Sequence, residues 1–359
     1  MGRIRQIVKK MFMAAFHRFP PLTDRNFRLE NSGKILFVLA GKRIGDTVVF
    51  SFFPREFKRF FPDKELVLAV EEKYSCLLEK NGYARTVPIP GSFIGWLKLL
   101  RHEKFDTIIE LPGGADHHRQ LAYYFSGAKA VILEKTEEYN YPYARYFKVD
   151  LKRHITEAFK GVLRLFGSIN EEIDISYQIN VSLPEKQYKG LFADSDRPLV
   201  VFNPHGNITA NCLSKEKTRK IIDILLRETN FNILLLDYKK KFDFDDHSRL
   251  VSEGGDGIAI LFNAVRQADY VLTVDTGSVH IAEMYSKPMT AICKKIIPPG
   301  LEKNLKHPCS NEKKEICISC SLCQWHPVKK ADIIIGQNNA DSLSAEEICG
   351  SVINNFVIY

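Results

Sequence analysis

Residues 268–288 of the 359-residue chain read ADYVLTVDTGSVHIAEMYSKP and hold the pattern that decides the fold. A β-rich apolar run passes through the turn Asp275–Ser278 directly into a helical pattern. The N-terminus of such a helix has unpaired backbone N–H groups, which bind anions. Gly277 lets a ligand approach the backbone closely, and His280 falls on the first helical turn, where a phosphate would rest. The pattern predicts a phosphate-binding strand–turn–helix unit.

A purely structural interpretation fits the same letters, with Asp275 or Thr276 as the N-cap and His280 as an ordinary first-turn residue. A helix N-terminus stabilises a charge by only about 0.3 to 2 kcal/mol, so a bound diphosphate needs several converging donors. The hydroxyl groups of Thr276 and Ser278 and the His280 ring would supply them.

Strands and helices alternate on both sides of a polar stretch at 182–198, which reads as an interdomain linker. Before it, KILFVLA from Lys34 reads as a buried parallel strand and TVVFSFFPREFKRF as the next helix; after it, PLVVFNPHG opens a second series. The sequence predicts an α/β chain of two Rossmann-like, doubly wound domains that face a cleft, because parallel sheets bind ligands at the carboxyl ends of their strands. The predicted divisions are a basic amphipathic segment at 1–30, an N-terminal domain at 33–182, a C-terminal domain at 196–340 and a C-terminal helix at 341–359.

Composition narrows the class of protein. A hydrophobic share of 45% and a charged share of 26% fit a globular chain with two cores and exclude a disordered chain or a polytopic membrane protein. The net charge of +8 indicates an anionic partner. Eight cysteines are too few for a disulfide scaffold, and nothing at the N-terminus resembles a cleavable signal, so we expect a cytoplasmic protein.

Residues 1–30 place apolar side chains at helical spacing and carry seven Lys or Arg against two acids. Such a segment either docks reversibly on an anionic membrane surface or packs on the protein's own surface. Its apolar run is far shorter than the ~20 residues of a membrane span. Any contact with a bilayer is therefore expected to be peripheral.

Three segments carry a resemblance to a known family. D-T-G-x-x-H at 275–280, before a helix that ends in K-P, is similar to the donor-binding signature of glycosyltransferase family nine, the bacterial lipopolysaccharide heptosyltransferases. Arg43, Gly45 and Asp46 stand where the family carries a basic residue and G-D, and PLVVFNPHGN resembles its second-domain opening strand. The resemblance covers most of residues 34–292.

The resemblance implies the GT-B fold, with an acceptor-binding N-terminal domain, a donor-binding C-terminal domain and a final helix that returns to the N-terminal domain. It also implies a metal-independent, inverting transfer of heptose or a related sugar from an ADP-sugar to a lipopolysaccharide core or another lipid-linked glycan acceptor. The implied setting is the inner face of the bacterial inner membrane. No cofactor for catalysis is implied. Asp46 matches the family's base, although an Asp in a strand-to-helix turn is commonly an N-cap and, with an ordinary pKa of about 3.9, a weak base.

Two sets of binding residues follow from the resemblance. The donor set is Asp275, Thr276, Gly277, Ser278, His280, Asn207, Thr209 and Asn211. The acceptor set is Arg43, Gly45, Gly113, Gly114, His118 and Arg119. Arg119 would suit a phosphate or a Kdo carboxylate, and the alternative interpretation of residues 111–120 is a solvated loop.

One departure from the family concerns the turn after PLVVFNPHGN. The family usually has a Lys or Arg there that neutralises the leaving phosphate, whereas residues 209–214 read TANCLS. Either another cation substitutes, or the chain is a catalytically silent, nucleotide-binding scaffold or sensor. The candidate substitutes are Lys215, Lys294, Lys295 and Arg43.

Four cysteines cluster in the loop 307–327, namely Cys309, Cys317, Cys320 and Cys323. Repeated two-residue gaps between thiols are typical of zinc sites, and a structural zinc ion would staple this long segment. An iron–sulfur cluster and reduced, unliganded thiols are the alternatives. The spacing does not indicate a catalytic metal.

Other function classes fit the sequence less well. The turn AGKRIGD lacks the G-x-G-x-x-G of a dinucleotide oxidoreductase. The basic residues are not interleaved with aromatic residues in a recognisable module, so no nucleic-acid partner is expected. Asp243-Phe244-Asp245 resembles a metal-binding D-x-D, but it lies in a mixed charge run that is typical of solvated surface.

Overall fold

The computed structural model of the chain describes residues 24, 26–41, 43–79, 81–111, 116–134, 144–147, 154–179, 186–206, 209–238, 242–244, 247–255, 257–294, 332–336 and 340–356. Within these ranges the chain forms two compact units, and the boundary between them falls near residue 181. The polar stretch at 182–198 thus begins where the first unit ends.

The first unit contains a six-stranded parallel sheet. Its strands are β1 (Lys34–Val38), β2 (Glu65–Val70), β3 (Arg85–Pro88), β4 (Thr107–Glu110), β5 (Ala130–Glu134) and β6 (Arg145–Phe147), in the order β3-β2-β1-β4-β5-β6. Its helices are α1 (Ile44–Phe50), α2 (Phe52–Phe60), α3 (Glu72–Glu79), α4 (Phe93–Glu103), α5 (His117–Tyr124) and α6 (Ile155–Leu163). The strand β1 is an uninterrupted apolar run after its first residue because it lies in the middle of the sheet, where both faces are covered.

The second unit repeats this architecture. Its strands are β7 (Leu199–Asn203), β8 (Asn232–Leu236), β9 (Leu250–Glu253), β10 (Tyr270–Val274), β11 (Met289–Lys294) and β12 (Asp332–Gly336), in the order β12-β11-β10-β7-β8-β9. Its helices are α7 (Lys215–Glu228), α8 (Ile258–Gln267), α9 (Gly277–Met284) and α10 (Ala345–Phe356). The strands β7, β8 and β10 are buried along their whole length.

Both sheets have the strand order of a doubly wound fold, so the predicted α/β class with two Rossmann-like sheets is confirmed. The order reverses between β1 and β4 in the first sheet and between β7 and β10 in the second. At such a switch point the connections leave towards opposite faces, which opens a crevice at the carboxyl ends of the two strands. Each unit therefore has one place where a ligand site is expected.

Aromatic side chains fill the core of the first unit. The ring of Phe37 in β1 lies 4.6 Å from that of Phe50 and 4.9 Å from that of Phe53, measured between centroids. Phe159 of α6 closes the cluster, 5.1 Å from Phe50. All four side chains are fully buried. This packing fixes α1, the helix that carries Asp46, against the sheet.

The C-terminal helix α10 packs on the second unit. Its buried stripe lies against α7 in one apolar cluster, which includes Ile348, Cys349, Val352, Ile221 and Leu225. The described residues 345–356 therefore belong to the second core. The predicted return of this helix to the N-terminal domain stays a prediction.

None of the helices in the described ranges is both long and apolar enough to cross a lipid bilayer. Residues 1–23, most of the predicted membrane-docking segment, lie outside the described residues.

Replacing Ile348 by alanine removes a fully buried side chain between α10 and α7. We expect the free energy of unfolding to fall by about 2 to 5 kcal/mol, as is typical for a large-to-small change in a core. Urea unfolding followed by circular dichroism measures this change. The exposed Asn354 on the same helix is the control, and Asn354→Ala should change the value by less than about 0.5 kcal/mol. Equal stability of the two variants would contradict the described packing.

Candidate functional site

Asp46 lies at the switch point of the first sheet. After β1 the chain turns, and α1 starts at Ile44 with Arg43 as its N-cap residue, in an extended conformation (φ −127°, ψ 137°) and without a side-chain capping bond. Asp46 is the third residue of the helix and therefore does not have the N-cap role that an Asp in such a turn often has. Its carboxyl group lies in the first helical turn, where the helix dipole favours a negative charge.

The carboxyl group of Asp46 is partly buried, and its pKa is raised to about 6. Burial is the main cause, because the loss of water disfavours the charged form, and the positive charge of Arg43 acts in the opposite direction. A group with this pKa is mostly ionised at neutral pH, yet it is a stronger base than an ordinary Asp. The structure thus supplies the burial that a catalytic Asp at this position requires.

Gly41 allows the Asp46 side chain to adopt this position. A Cβ atom at Gly41 would lie 2.3 Å from Oδ2 of Asp46 and 3.1 Å from its Cγ. The carboxyl group therefore lies directly against the Gly41 backbone, and any side chain at Gly41 would displace it. Sequence reasoning missed Gly41, although a glycine shortly after a buried strand is a signal of a close approach to the backbone.

A second buried carboxyl group, Glu110, ends β4, the strand next to β1. It is fully buried, and its Oε2 and Oε1 accept hydrogen bonds from the Tyr123 hydroxyl at 2.6 Å and from Arg119 Nε at 3.2 Å. Burial raises the pKa of Glu110 to about 7, although the nearby Arg119 charge lowers it. Sequence reasoning did not identify Glu110; the signal was a lone acid at the end of the buried run DTIIEL.

Arg119, predicted to bind the acceptor, lies between two carboxylates. Its Nη2 is 3.0 Å from Oε1 of Glu110, and its Nη1 is 2.9 Å from Oδ2 of Asp116. Asp116 also caps α5 by accepting the backbone N–H of Arg119 at 2.9 Å. The guanidinium group is therefore held in one orientation after β4, and an anionic acceptor group would share it with protein carboxylates.

The rest of the predicted acceptor set is only partly described. Arg43 and His118 are exposed, and Gly45 is buried in α1. Gly113 and Gly114 lie outside the described residues. Residues after β1 and residues after β4 share one edge of the sheet, because these strands are adjacent and parallel. The structure thus brings the described members of the acceptor set to the same edge, namely Arg43, Gly45, His118 and Arg119.

In the second unit the Asp275–Ser278 turn leads from β10 into the N-terminus of α9. Thr276 is the N-cap residue, and its Oγ1 accepts the backbone N–H of Ser278 at 3.2 Å. His280 lies in the first turn of the helix and is 6% exposed. The predicted strand–turn–helix unit is thus present, and Thr276 is also its N-cap residue.

The hydroxyl group of Ser278 is hydrogen-bonded within the protein. Asn203, the last residue of β7, donates from Nδ2 to Ser278 Oγ at 2.9 Å. The hydroxyl oxygens of Thr273 and Thr276 lie 2.8 and 2.9 Å from the same atom. Ser278 is 1% exposed. The side chain predicted to bind the donor thus joins the end of β7 to the start of α9, and its contact with a donor stays a prediction.

Asn211 contacts the same turn from a short 3₁₀ helix, Thr209–Asn211. Its Nδ2 donates to the backbone oxygen of Asp275 at 3.5 Å. The backbone N–H of Asp275 donates to the oxygen of Ile292 in β11 at 2.9 Å, so the turn is held from two directions. Thr209 is exposed, and Asn207 lies outside the described residues.

Sequence reasoning missed a buried polar pair at this edge. His205 follows β7 by two residues, and its Nε2 is 2.7 Å from Oδ1 of Asp237, the first residue after β8. Both side chains are at most 3% exposed. The imidazole ring stacks on Phe242 with 5.1 Å between centroids. The available signal was a His and an Asp placed directly after two buried strands.

The cations predicted to replace the family's missing Lys or Arg are partly described. Lys215 is the first residue of α7 and is exposed. Lys294 ends β11, and Lys295 lies outside the described residues. Asp243 is exposed, in agreement with the surface interpretation of the D-F-D sequence, and Asp245 is not described.

The predicted zinc ligands Cys309, Cys317, Cys320 and Cys323 also lie outside the described residues, so zinc binding stays a prediction. In the part of the chain that the structure describes, no three His, Cys, Asp or Glu side chains are grouped closely enough to hold a metal ion.

Comparison with known proteins identifies the fold. No family model and no curated protein matches the chain. A glycosyl transferase family 9 structure from Veillonella parvula is similar with a TM-score of 0.65 and 13% identity, over 94% of this chain and 100% of that one. ADP-heptose LPS heptosyltransferase II of E. coli gives a TM-score of 0.65 and 15% identity, over 90% and 99%. E. coli heptosyltransferase WaaC, solved with ADP, gives 0.58 and 13%, over 90% and 97%. The chain has the heptosyltransferase-like fold of glycosyltransferase family 9.

The free energy of unfolding of the Asp46→Asn variant, relative to that of the wild type, should increase as the pH rises. The folded-state pKa is above the ordinary value of 3.8, so the folded state retains its proton longer and stability is lost as the pH rises from about 4 to about 6. Asparagine does not titrate. We expect its stabilising effect to grow by about 1 kcal/mol between pH 5 and pH 7.5, measured by urea unfolding.

The exposed Asp63, in the same unit, is the matched control, because Asp63→Asn removes a carboxyl group that is in contact with water. An equal pH effect in both variants would show that burial of Asp46 is not its cause.

Proposed function

We propose that the chain is an inverting glycosyltransferase that transfers heptose, or a related sugar, from an ADP-sugar to a hydroxyl group of a lipopolysaccharide core acceptor. The observation that carries the proposal is Asp46, a partly buried carboxyl group with a pKa of about 6 at the switch point of a heptosyltransferase-like fold. The N-terminus of α9, at the corresponding strand ends of the second sheet, supports it.

In the proposed reaction Asp46 is the general base. The acceptor hydroxyl transfers its proton to the Asp46 carboxylate while its oxygen forms a bond to the anomeric carbon of the donor sugar. The bond from that carbon to the diphosphate breaks on the opposite face, and its electron pair leaves with ADP. Attack and departure on opposite faces invert the configuration. Asp46 then releases the proton to solvent.

The N-terminus of α9 is the proposed site for the leaving diphosphate. Backbone N–H groups and the helix dipole favour an anion there, Gly277 allows it to approach, and His280 lies in the same turn. The hydrogen bonds of Ser278 and Asn211 hold the turn in the conformation that presents these groups. No metal ion or cofactor takes part in the proposed reaction.

One observation favours a second candidate, a nucleotide-binding scaffold or sensor without turnover. The segment Thr209–Asn211 contains neither Lys nor Arg, and the Asn211 amide is hydrogen-bonded to the Asp275 backbone. An amide does not neutralise the charge that develops on a leaving diphosphate. Such a protein would bind ADP and leave ADP-heptose intact.

The proposed setting is the cytoplasm, at the inner face of the bacterial inner membrane. The basic residues of segment 1–30 would attract anionic lipid, by about 1 kcal/mol for each residue near the surface. Sedimentation with anionic and with neutral vesicles tests this part. A zinc ion held by the loop 307–327 is a separate proposal, which metal analysis of the purified protein tests.

Transfer from ADP-heptose to a lipopolysaccharide core acceptor, together with ADP binding, distinguishes the two functions. We expect turnover by the wild type, loss of at least about 100-fold in kcat for Asp46→Ala with unchanged ADP affinity, and normal turnover for the control Asp63→Asn. A wild type that binds ADP and does not turn over would favour the scaffold. A wild type that binds neither ADP nor ADP-heptose would overturn both candidates.

The pH profile of kcat/KM provides an independent check. Protonated Asp46 cannot take the proton of the substrate hydroxyl group, so activity is lost as the pH falls through about 6. We expect kcat/KM to fall about tenfold for each pH unit below 6 and to level off above 7. A profile that is flat between pH 5 and 8 would exclude Asp46 as the titrating base.

Gly41→Ala should impair catalysis, because the new methyl group would occupy the position of the Asp46 carboxyl group. A displacement of about 1 Å costs up to about 100-fold in rate, so we expect kcat to fall by about 10- to 100-fold while ADP affinity is unchanged. Gly91→Ala, at a position with open space around the new Cβ atom, is the control. Equal activity of the two variants would refute the role of Gly41.

A further inference from the structure

His205 and Asp237 lie at the same edge of the second sheet as the Asp275–Ser278 turn. His205 follows β7, which is paired with β10, and Asp237 follows β8 on the other side of β7. The pair therefore lies beside the switch point from which α9 begins. The two residues are 1% and 2% exposed, so neither is a surface residue that happens to be near the site.

Several contacts fix the His205 ring. Its Nε2 lies 2.7 Å from Oδ1 of Asp237, while Oδ2 of Asp237 accepts the backbone N–H of Phe242 at 2.8 Å. The ring of Phe242 stacks on the imidazole with an interplanar angle of 19°, and the ring of Tyr238 contacts it edge-on at 4.9 Å. The residues after β8 are thereby folded over the turn that follows β7.

One chain of hydrogen bonds leads from this pair to α9. The backbone N–H of His205 donates to Oδ1 of Asn203 at 3.2 Å, and Nδ2 of Asn203 donates to Ser278 Oγ at 2.9 Å. Ser278 is in turn bonded to the N-cap residue Thr276. The position of His205 thus determines where the Asn203 amide lies and, through it, the start of α9.

A second connection passes through Gly206. The Tyr238 hydroxyl donates to the backbone oxygen of Gly206 at 3.5 Å. A Cβ atom at Gly206 would lie 2.4 Å from the Cβ atom of Asn211, so the two segments are in direct contact. Asn211 in turn donates to the backbone oxygen of Asp275. Two connections, one through Asn203 and one through Gly206, therefore join the segment that carries His205 to the Asp275–Ser278 turn.

Stability alone does not account for a buried pair of this kind. Well-packed apolar side chains of similar volume are often as stabilising as a buried pair, because desolvation offsets most of its attraction. What a hydrogen-bonded pair adds is a fixed distance and direction between two segments. Here the two segments are the turn after β7 and the loop after β8.

We propose that His205 and Asp237 are positioning residues for the diphosphate site at the N-terminus of α9. The proposal rests on the proposed function, in which this turn binds the ADP portion of the donor. The pair holds Asn203 and Asn211 in register with Thr276 and Ser278. Its loss lowers the affinity for ADP without removing any group that contacts the nucleotide.

Asp237→Asn tests the proposal in the full-length protein, with ADP as the titrated probe in calorimetry. The substitution retains the volume, but an NH2 group replaces one of the two acceptor oxygens that face the His205 ring and the Phe242 N–H. One of these two contacts is therefore lost or reverses its direction, and the negative charge beside the ring is removed. We expect the Kd for ADP to rise about tenfold, the lower end of the range for loss of a group that orients a binding residue. Thermal unfolding, recorded in parallel, ensures that the variant is folded at the titration temperature.

Ile348→Ala is the control for a purely structural role. It removes a buried side chain from the same unit and lowers stability, but Ile348 belongs to the cluster between α10 and α7. We expect its Kd for ADP to stay within about twofold of the wild-type value once the protein is folded. If Asp237 had only a structural role, the two variants would show the same rise in the Kd for ADP for a given loss of thermal stability.

The outcomes separate this inference from the function on which it rests. A wild type that binds ADP, together with an unchanged Kd for Asp237→Asn, overturns the positioning role alone. The same holds if Ile348→Ala weakens ADP binding as much as Asp237→Asn does. A wild type that does not bind ADP overturns the donor site and the positioning role together.

Discussion

Parallel pairing of β1 with β4, and of β7 with β10, is the constraint on which both candidate sites depend. Each pair brings two carboxyl strand ends side by side, while the connecting chain leaves towards opposite faces of the sheet. Polar groups can gather at this edge without interrupting the apolar core. Asp46 and Glu110 occupy the edge of the first sheet, and Asn203 and Ser278 occupy the edge of the second.

Burial of the two carboxyl groups at the edge of the first sheet is unfavourable for stability, which itself argues for a role in function. Burial opposes the ionisation of Asp46 and of Glu110, and their pKa values rise to about 6 and about 7. The two carboxyl groups differ in their partners. Glu110 is bonded to Arg119 and Tyr123, whereas Asp46 lies against the backbone of Gly41. The first arrangement orients the Arg119 guanidinium group, and the second places a carboxyl group with a raised pKa in the first turn of a helix.

Sequence patterns were sufficient for the fold because buried parallel strands and the turns after them have local signatures. The runs KILFVLA and YVLTV, each followed by a turn and a helical pattern, predicted β1 and β10 and the positions of Asp46 and Thr276. The pairs Glu110–Arg119 and His205–Asp237 were not predicted. The second joins two residues that follow different strands and are 32 residues apart in sequence. No local pattern indicates which buried His faces which buried Asp. Ser278 illustrates the same limit, since its place in the motif predicts a ligand and its contacts give it an internal role. The apolar face of α10 predicted a packed helix without indicating which domain it covers.

The repeated strand order has an evolutionary consequence. Each sheet builds its expected ligand edge from its own first and fourth strands. In the proposed function the determinants of the acceptor and of the donor therefore occupy separate stretches of the gene. Substitutions after β1 and β4 can diversify recognition of one substrate while the segments after β7 and β10 remain under selection for the other. A lineage with this architecture can therefore acquire a new partner for its reaction one half at a time.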